Sequence, residues 1–215
     1  MPDSVRPSQA TKRTGPLLFN VIDALSVARP YWSKALIGLL AIAASAASIA
    51  SVPGIAGFCG AGLALIMLAI AVIDWRSFII PDWLNALALG LAFIHAAIGD
   101  PSMMGTAIAT AAMRAAVLAL IFFVVRGVYA YVRNRQGLGL GDVKLAGVAG
   151  AWLDLETIPI AIELAVLAAL SGYVVRQMIL RRPISATSRL PFGLFFAPAI
   201  WICWFFASAW LVPGG

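Results

Sequence analysis

Charge is what this chain has least of. Asp, Glu, Lys and Arg make up 11% of its 215 residues, against 62% hydrophobic ones. A water-soluble domain carries about 25% charged residues, so this shortage excludes an ordinary globular protein and makes the lipid bilayer the chain's solvent. Mean hydropathy, at +0.97, agrees. Cysteine is limited to two residues. Cys59 and Cys203 lie in separate apolar stretches, with no CxxC pair and no histidine near either, which argues against a zinc centre and a disulfide framework. No metal and no cofactor are expected. Acids number nine against fifteen basic residues, a net charge of +6. In a membrane chain such an excess belongs to cytoplasmic loops rather than to a nucleic-acid surface. Long polar stretches are also lacking, which leaves no room for a sizeable extramembrane domain. The expected organisation is a cytoplasmic segment over residues 1–33 and one transmembrane domain over 34–215.

What is present is a series of apolar runs. No charge occurs from Ala35 to Ile73, and Pro53-Gly54 falls near the middle. A hairpin of two helices, 35–52 and 57–75, is the natural reading. Further runs cover Trp83–Gly99, Pro101–Val125 with Arg114 inside, Thr157–Val175 with Glu163 inside, and Leu190–Pro213. The Val143–Leu153 segment is shorter: at 1.5 Å per residue it reaches only about 17 Å of a roughly 30 Å hydrocarbon core. Counting it, the fold class is all-α, a polytopic membrane helix bundle of about seven transmembrane helices. The run after residue 33 is too long and too far in to be a cleavable signal segment. Before it, Leu18, Val21, Ile22, Leu25 and Ala28 recur at helical spacing, which suits an interfacial helix.

The charges test this count. Fourteen of the fifteen basic residues, all but Arg114, fall on one side of a seven-helix topology, while the opposite loops carry Asp100, Asp154 and Glu156. The positive-inside rule then places the N-terminus in the cytoplasm and the C-terminus outside. Arg114 and Glu163 are expected to pair across the fourth and sixth helices. His95 reads as a structural histidine. Trp75, Trp83, Trp152 and Tyr173 read as interfacial anchors.

Two acids stand where chemistry is conceivable. Asp74 closes the second helix, and Pro81 with Asp82 opens the third; proline and an acid both suit a helix's first turn. Asp142 heads the short fifth helix in Gly137-Leu-Gly139-Leu-Gly141-Asp142-Val-Lys144. Both fall on the basic side, 68 positions apart, so they can converge. Either acid alone is as readily a cap or a solvated helix end. Gly139 and Gly141 either give a peptide room beside Asp142 or permit close helix packing. Arg76 and Lys144 either act on the acids or snorkel to the headgroups.

Taken together, Asp74-x-Arg76-x-x-x-Ile80-Pro81-Asp82, Gly139-x-Gly141-Asp142-x-Lys144 and Leu190-Pro191-Phe192-Gly193 resemble the signature of the type IV prepilin peptidases, among the GxGD membrane aspartyl proteases. The resemblance covers about residues 35–212. It implies that Asp74 and Asp142 are the catalytic pair, activating water without metal or covalent intermediate. Pro191, Phe192 and Gly193 would shape a turn near the site. The implied location is the bacterial inner membrane with the site facing the cytoplasm. The implied partners are a prepilin or pseudopilin precursor with a short basic leader, the lipid bilayer and a pilus assembly machinery; no nucleic acid is expected. The bifunctional members' cysteine-rich segment has no counterpart here, so the expected activity is peptidase without methyl transfer, as in short enzymes of Flp or Tad-type pili. Two rivals stand. A presenilin-like intramembrane protease is disfavoured by the absence of a Tyr-Asp pair and of a Pro-Ala-Leu motif. A non-enzymatic transporter or assembly factor is disfavoured by the lack of an internal repeat.

Overall fold

The structure is a computed structural model, which describes residues 16–98, 102–134, 137–180 and 191–210; the side chains described are 34–98, 102–134, 137–175, 177–178 and 191–209. The described residues form seven helices and no strand: α1 Pro16–Ser51, α2 Ile55–Ser77, α3 Asp82–Ala97, α4 Met104–Arg133, α5 Leu140–Trp152, α6 Thr157–Leu180 and α7 Phe192–Trp210. The described residues up to Leu40 and those from Ala41 onward form separate compact units. Five helices contain stretches long and apolar enough to cross a membrane. The protein is a multi-pass helical membrane protein.

Helix order and number match the expectation; α6 runs on past Val175 to Leu180, and the bounds of α1 and α4 differ most. α1 is continuous through Pro30, so the lead-in and the first span are one helix; the interfacial role foreseen for residues 18–28 concerns side chains outside the described set. α4 runs on to Arg133 instead of ending near Val125. Its 30 residues extend about 45 Å, long enough to carry Arg126 and Arg133 past an apolar core. Its last residue hands over to Asn134, at φ 48, a left-handed cap that asparagine tolerates.

The α1–α2 turn falls where Pro53-Gly54 predicts. Gly54 has φ 71, a conformation that an L side chain adopts only under strain. Beyond it, a Cβ on Gly57 would lie 2.3 Å from the Val52 carbonyl oxygen, so the second helix can start this close to the first only with glycine there.

α5 lies against α3, α4 and α7. Nine of its thirteen residues, from Val143 through Trp152, are buried, and Ala146, Gly147, Ala149, Gly150 and Ala151 supply small surfaces. Lipid tails are as apolar as leucine, so in a membrane such contacts stabilise by close van der Waals packing and hydrogen bonds more than by escape from water. A Cβ on Gly150 would sit 2.4 Å from the Arg114 carbonyl oxygen, which shows how closely α4 and α5 approach. Leu63, Met67, Ile70, Leu145, Phe196 and Ile200 fill the centre, each at most 1% exposed. The consequence for function is positional: the head of α5 is held beside the end of α2 and the start of α7.

Candidate active site

α2 ends on a side chain turned inward. Asp74 is 4% exposed, while Trp75, one residue on, is 60% exposed. The helix stops because Phe78 takes a left-handed conformation, φ 54, and its N–H donates to the Asp74 carbonyl oxygen at 2.9 Å. The chain then extends through Ile79 and Ile80 to Pro81, which caps α3 with φ −65. Ile80 points back into the core at 7% exposure, and Ile79 points out at 63%.

The start of α7 supplies a donor for Asp74. Its Oδ2 accepts the Leu194 N–H at 3.0 Å. Orphan N–H groups of a helix's first turn form a ready anion cradle. Glycine at 193 makes the approach possible: a Cβ there would meet Asp74 Oδ2 at 2.9 Å and Ile80 Cδ1 at 2.8 Å.

Asp142 stands in the first turn of α5, half-buried, and its Oδ2 accepts the Gly139 N–H at 3.0 Å. This is one half of a capping box; Gly139 has no side chain to return the bond. Burial pushes the Asp142 carboxyl up to about 6; the Gly139 N–H opposes this and the negative charge of Asp74 adds to it. A carboxyl raised in this way is a proton donor at a pH where an ordinary one is spent. Gly141 packs on Ile80, where a Cβ would lie 2.9 Å from the Ile80 Cβ. Thus Ile80 is wedged between Gly141 and Gly193, and the three separated sequence segments meet around it. Both acids lie at one end of the bundle.

A family model for the type IV leader peptidases matches residues 61–174. The chain belongs to the type IV leader peptidase family. The matched residues include both Asp74 and Asp142; the Pro191-Phe192-Gly193 segment lies beyond them. The chain is 32% identical over 119 residues to a prepilin leader peptidase/N-methyltransferase of Escherichia coli (strain K12), covering 55% of this chain and 51% of that one. It is 30% identical over 136 residues to the leader peptidase HopD of Salmonella typhimurium, covering 63% and 84%. A prepilin leader peptidase/N-methyltransferase of Aeromonas hydrophila is 27% identical over 140 residues, covering 65% and 46%. The chain thus spans about half the length of the two bifunctional relatives. No solved structure matches it.

The remaining predicted residues take definite places in the bundle. Lys144 Nζ lies 2.7 Å from Asp82 Oδ1; it is paired, joining the head of α5 to the head of α3. Arg76 is exposed at the end of α2, and Pro191 is buried just before α7 with Phe192 half-buried after it. Phe192 packs at a tilt against Phe122 and Phe196, at centroid distances of 6.5 and 5.1 Å. Arg126 Nε donates to the Leu138 carbonyl at 3.1 Å and so steadies the glycine loop before Asp142.

Arg114 does not pair with Glu163: its Nη1 lies 2.8 Å from Asp154 Oδ1 and its Nε donates to the Gly150 carbonyl, while Glu163 is exposed. Asp154 follows the end of α5, which packs on the turn of α4 bearing Arg114. Trp152 is no interfacial anchor: it is 6% exposed, and its Nε1 donates to the Ala88 carbonyl at 2.9 Å. Tyr173 is buried too, its hydroxyl accepting from Gln177 Nε2. The sequence reading passed over Ile80 as a site-organising residue and the Leu194 N–H altogether. The αL turn that aims Ile80 inward and a backbone donor leave no compositional signal.

Proposed function

We propose that the protein is an aspartic endopeptidase that removes the short basic leader from prepilin-like precursors, using Asp74 and Asp142 as its catalytic pair. The observation that carries this reading is the meeting of three segments around Ile80, with both carboxyls at the same end and Asp142 within the field of Asp74. Two neighbouring carboxyls ionise in turn, so one remains an acid while the other is a base. The base takes a proton from water as its oxygen attacks the scissile carbonyl. The acid hydrogen-bonds the carbonyl oxygen and then gives its proton to the leaving amine.

The environments divide these roles. Asp74, held in place by the Leu194 N–H and facing the neutral Asp142, is assigned the base. Asp142, neutral up to about 6, suits the acid. The HopD relative bears the name leader peptidase, and the bifunctional relatives bear the same word, which supports the substrate class. Arg76, Arg126, Arg133 and Lys144 lie at the same end of their helices as the acids, which supports a site on the cytoplasmic face of the inner membrane. A basic leader joined to an apolar helix reaches that surface with its junction at headgroup depth.

The test is cleavage of a leader-bearing pilin precursor by the purified chain in vesicles, with the cut mapped by mass spectrometry. Each of Asp74→Asn and Asp142→Asn should slow cleavage by on the order of 10³-fold, within the range of a lost general acid or base. Full processing by either variant, or cutting inside the apolar helix instead of at the leader junction, overturns the proposal.

A further inference from the structure

At the end of the bundle away from the acids, a cleft of about 320 Å³ opens where α3, α5 and α7 end and α6 begins. It is lined by His95, Thr110, Arg114, Trp152, Asp154 and Trp204, among others. The rings form a cluster: His95 lies 5.1 Å from Trp152 and 5.9 Å from Trp204, and the two indoles meet edge to face at 5.8 Å. The indole Nε1 of Trp204 is buried with no acceptor in the structure. Arg114 and Asp154 place one cation and one anion side by side, 2.8 Å apart.

A second cleft, of about 160 Å³, shares Arg114 and has an almost wholly apolar lining. Met113, Val117, Leu118 and Ile121 form its α4 side, with Leu155 and Ile158 opposite. From Arg114 to Ile121 it follows two turns of α4, a rise of about 10 Å toward mid-membrane. α4 packs on α3 and α5 and α6 packs on α7, so the groove lies between helices that each find their main partners elsewhere.

We propose that these two clefts are one binding site for a glycerophospholipid with an amine in its headgroup. A polar, charged cleft near the helix ends continuing through an arginine into an apolar groove has the form of such an amphiphile. Arg114 spends one N–H on Asp154 and one on Gly150, leaving three of its five for a lipid phosphate. Asp154, 76% exposed, faces the headgroup amine. With Arg114 and Asp154 cancelling, the site carries no net charge to favour a purely anionic lipid. One acyl chain lies along Val117 and Ile121. This site is at the opposite end of α5 from Asp142 and does not depend on the proposed hydrolysis.

Native mass spectrometry of the full chain, released from detergent micelles supplied with one lipid at a time, tests it. Phosphatidylethanolamine should be retained in one copy, at least tenfold more tightly than phosphatidylglycerol, and O-phosphoethanolamine without acyl chains should not bind at millimolar concentration. Arg114→Gln should weaken retention tenfold or more. Because that change also frees the Gly150 carbonyl, Val117→Trp is the second variant: it fills the groove, leaves the ion pair in place and should weaken retention equally. Retention unchanged in Val117→Trp, no preference between the two lipids, or free headgroup binding as tightly as the lipid overturns the proposal.

Discussion

At the scale of single residues, the site depends on how little space surrounds two carboxyls. Gly193→Ala puts a methyl group within 2.9 Å of Asp74 Oδ2 and 2.8 Å of Ile80. Relief by shifting α7 lengthens the Leu194 bond to Asp74. We expect cleavage to fall by about 100-fold, the scale of a 1 Å misplacement, while the protein still inserts; single-turnover cleavage in vesicles measures this. The charge on Asp142 makes a second prediction. Its carboxyl is raised from the ordinary 3.8 to about 6 by burial first and by Asp74 in smaller part. The neutral form is therefore the one the fold favours. Its contribution to stability is complete below the unfolded value and is lost as pH rises through about 6. Thermal unfolding in vesicles should show stability declining across that window, and Asp142→Asn, which cannot ionise, should flatten the decline. The cleavage rate should fall over the same window as the acid is spent. In Asp74→Asn the Asp142 titration should move down but remain above the ordinary carboxylate range, because burial is the larger cause; carboxyl-stretch infrared titration reads it.

At the scale of elements, the α2–α3 connection acts as a spacer. Phe78 turns the chain, Ile79 faces out, and Ile80 fills the gap between the heads of α5 and α7. Ile80→Ala should cost about 2–4 kcal/mol, as for other buried large-to-small changes, and should reduce cleavage further because it loosens both glycine contacts; denaturant unfolding in mixed micelles provides the stability. The Lys144–Asp82 pair is exposed on both sides and should contribute only about 0–1 kcal/mol. Exchanging the two residues should therefore restore nearly wild-type stability and cleavage, as a double-mutant cycle will show. Helix existence was readable from apolar run length and from Pro53-Gly54, and the short α5 from the 11 residues between acids, because membrane helices satisfy their own backbone bonds. Their ends were less readable. α4 continues past Val125 and α1 through Pro30, because neither a fall in hydrophobicity nor one proline, which removes a single helical bond, ends a helix by itself. The partner of Arg114 was not readable either, because it depends on the rotation of α4 against α5, which apolar runs leave unspecified.

At the scale of the whole molecule, residues far apart in sequence reach one end of the bundle because spans alternate in direction. The candidate acids, 68 positions apart, converge for that reason, and the basic residues of the sequence mark the same side. What the alternation could not supply is the contact between the α7 start and Asp74, which needs Gly193 and a backbone donor. Asp74 and Asp142 are proposed to act as one unit. A double-mutant cycle on single-turnover precursor cleavage, with Asp74→Asn, Asp142→Asn and the combination, tests it most directly. We predict that the double variant cleaves no more slowly than the slower single one, as groups that work together lose everything with either partner. Losses that multiply, or a single variant that keeps the wild-type rate, contradict it.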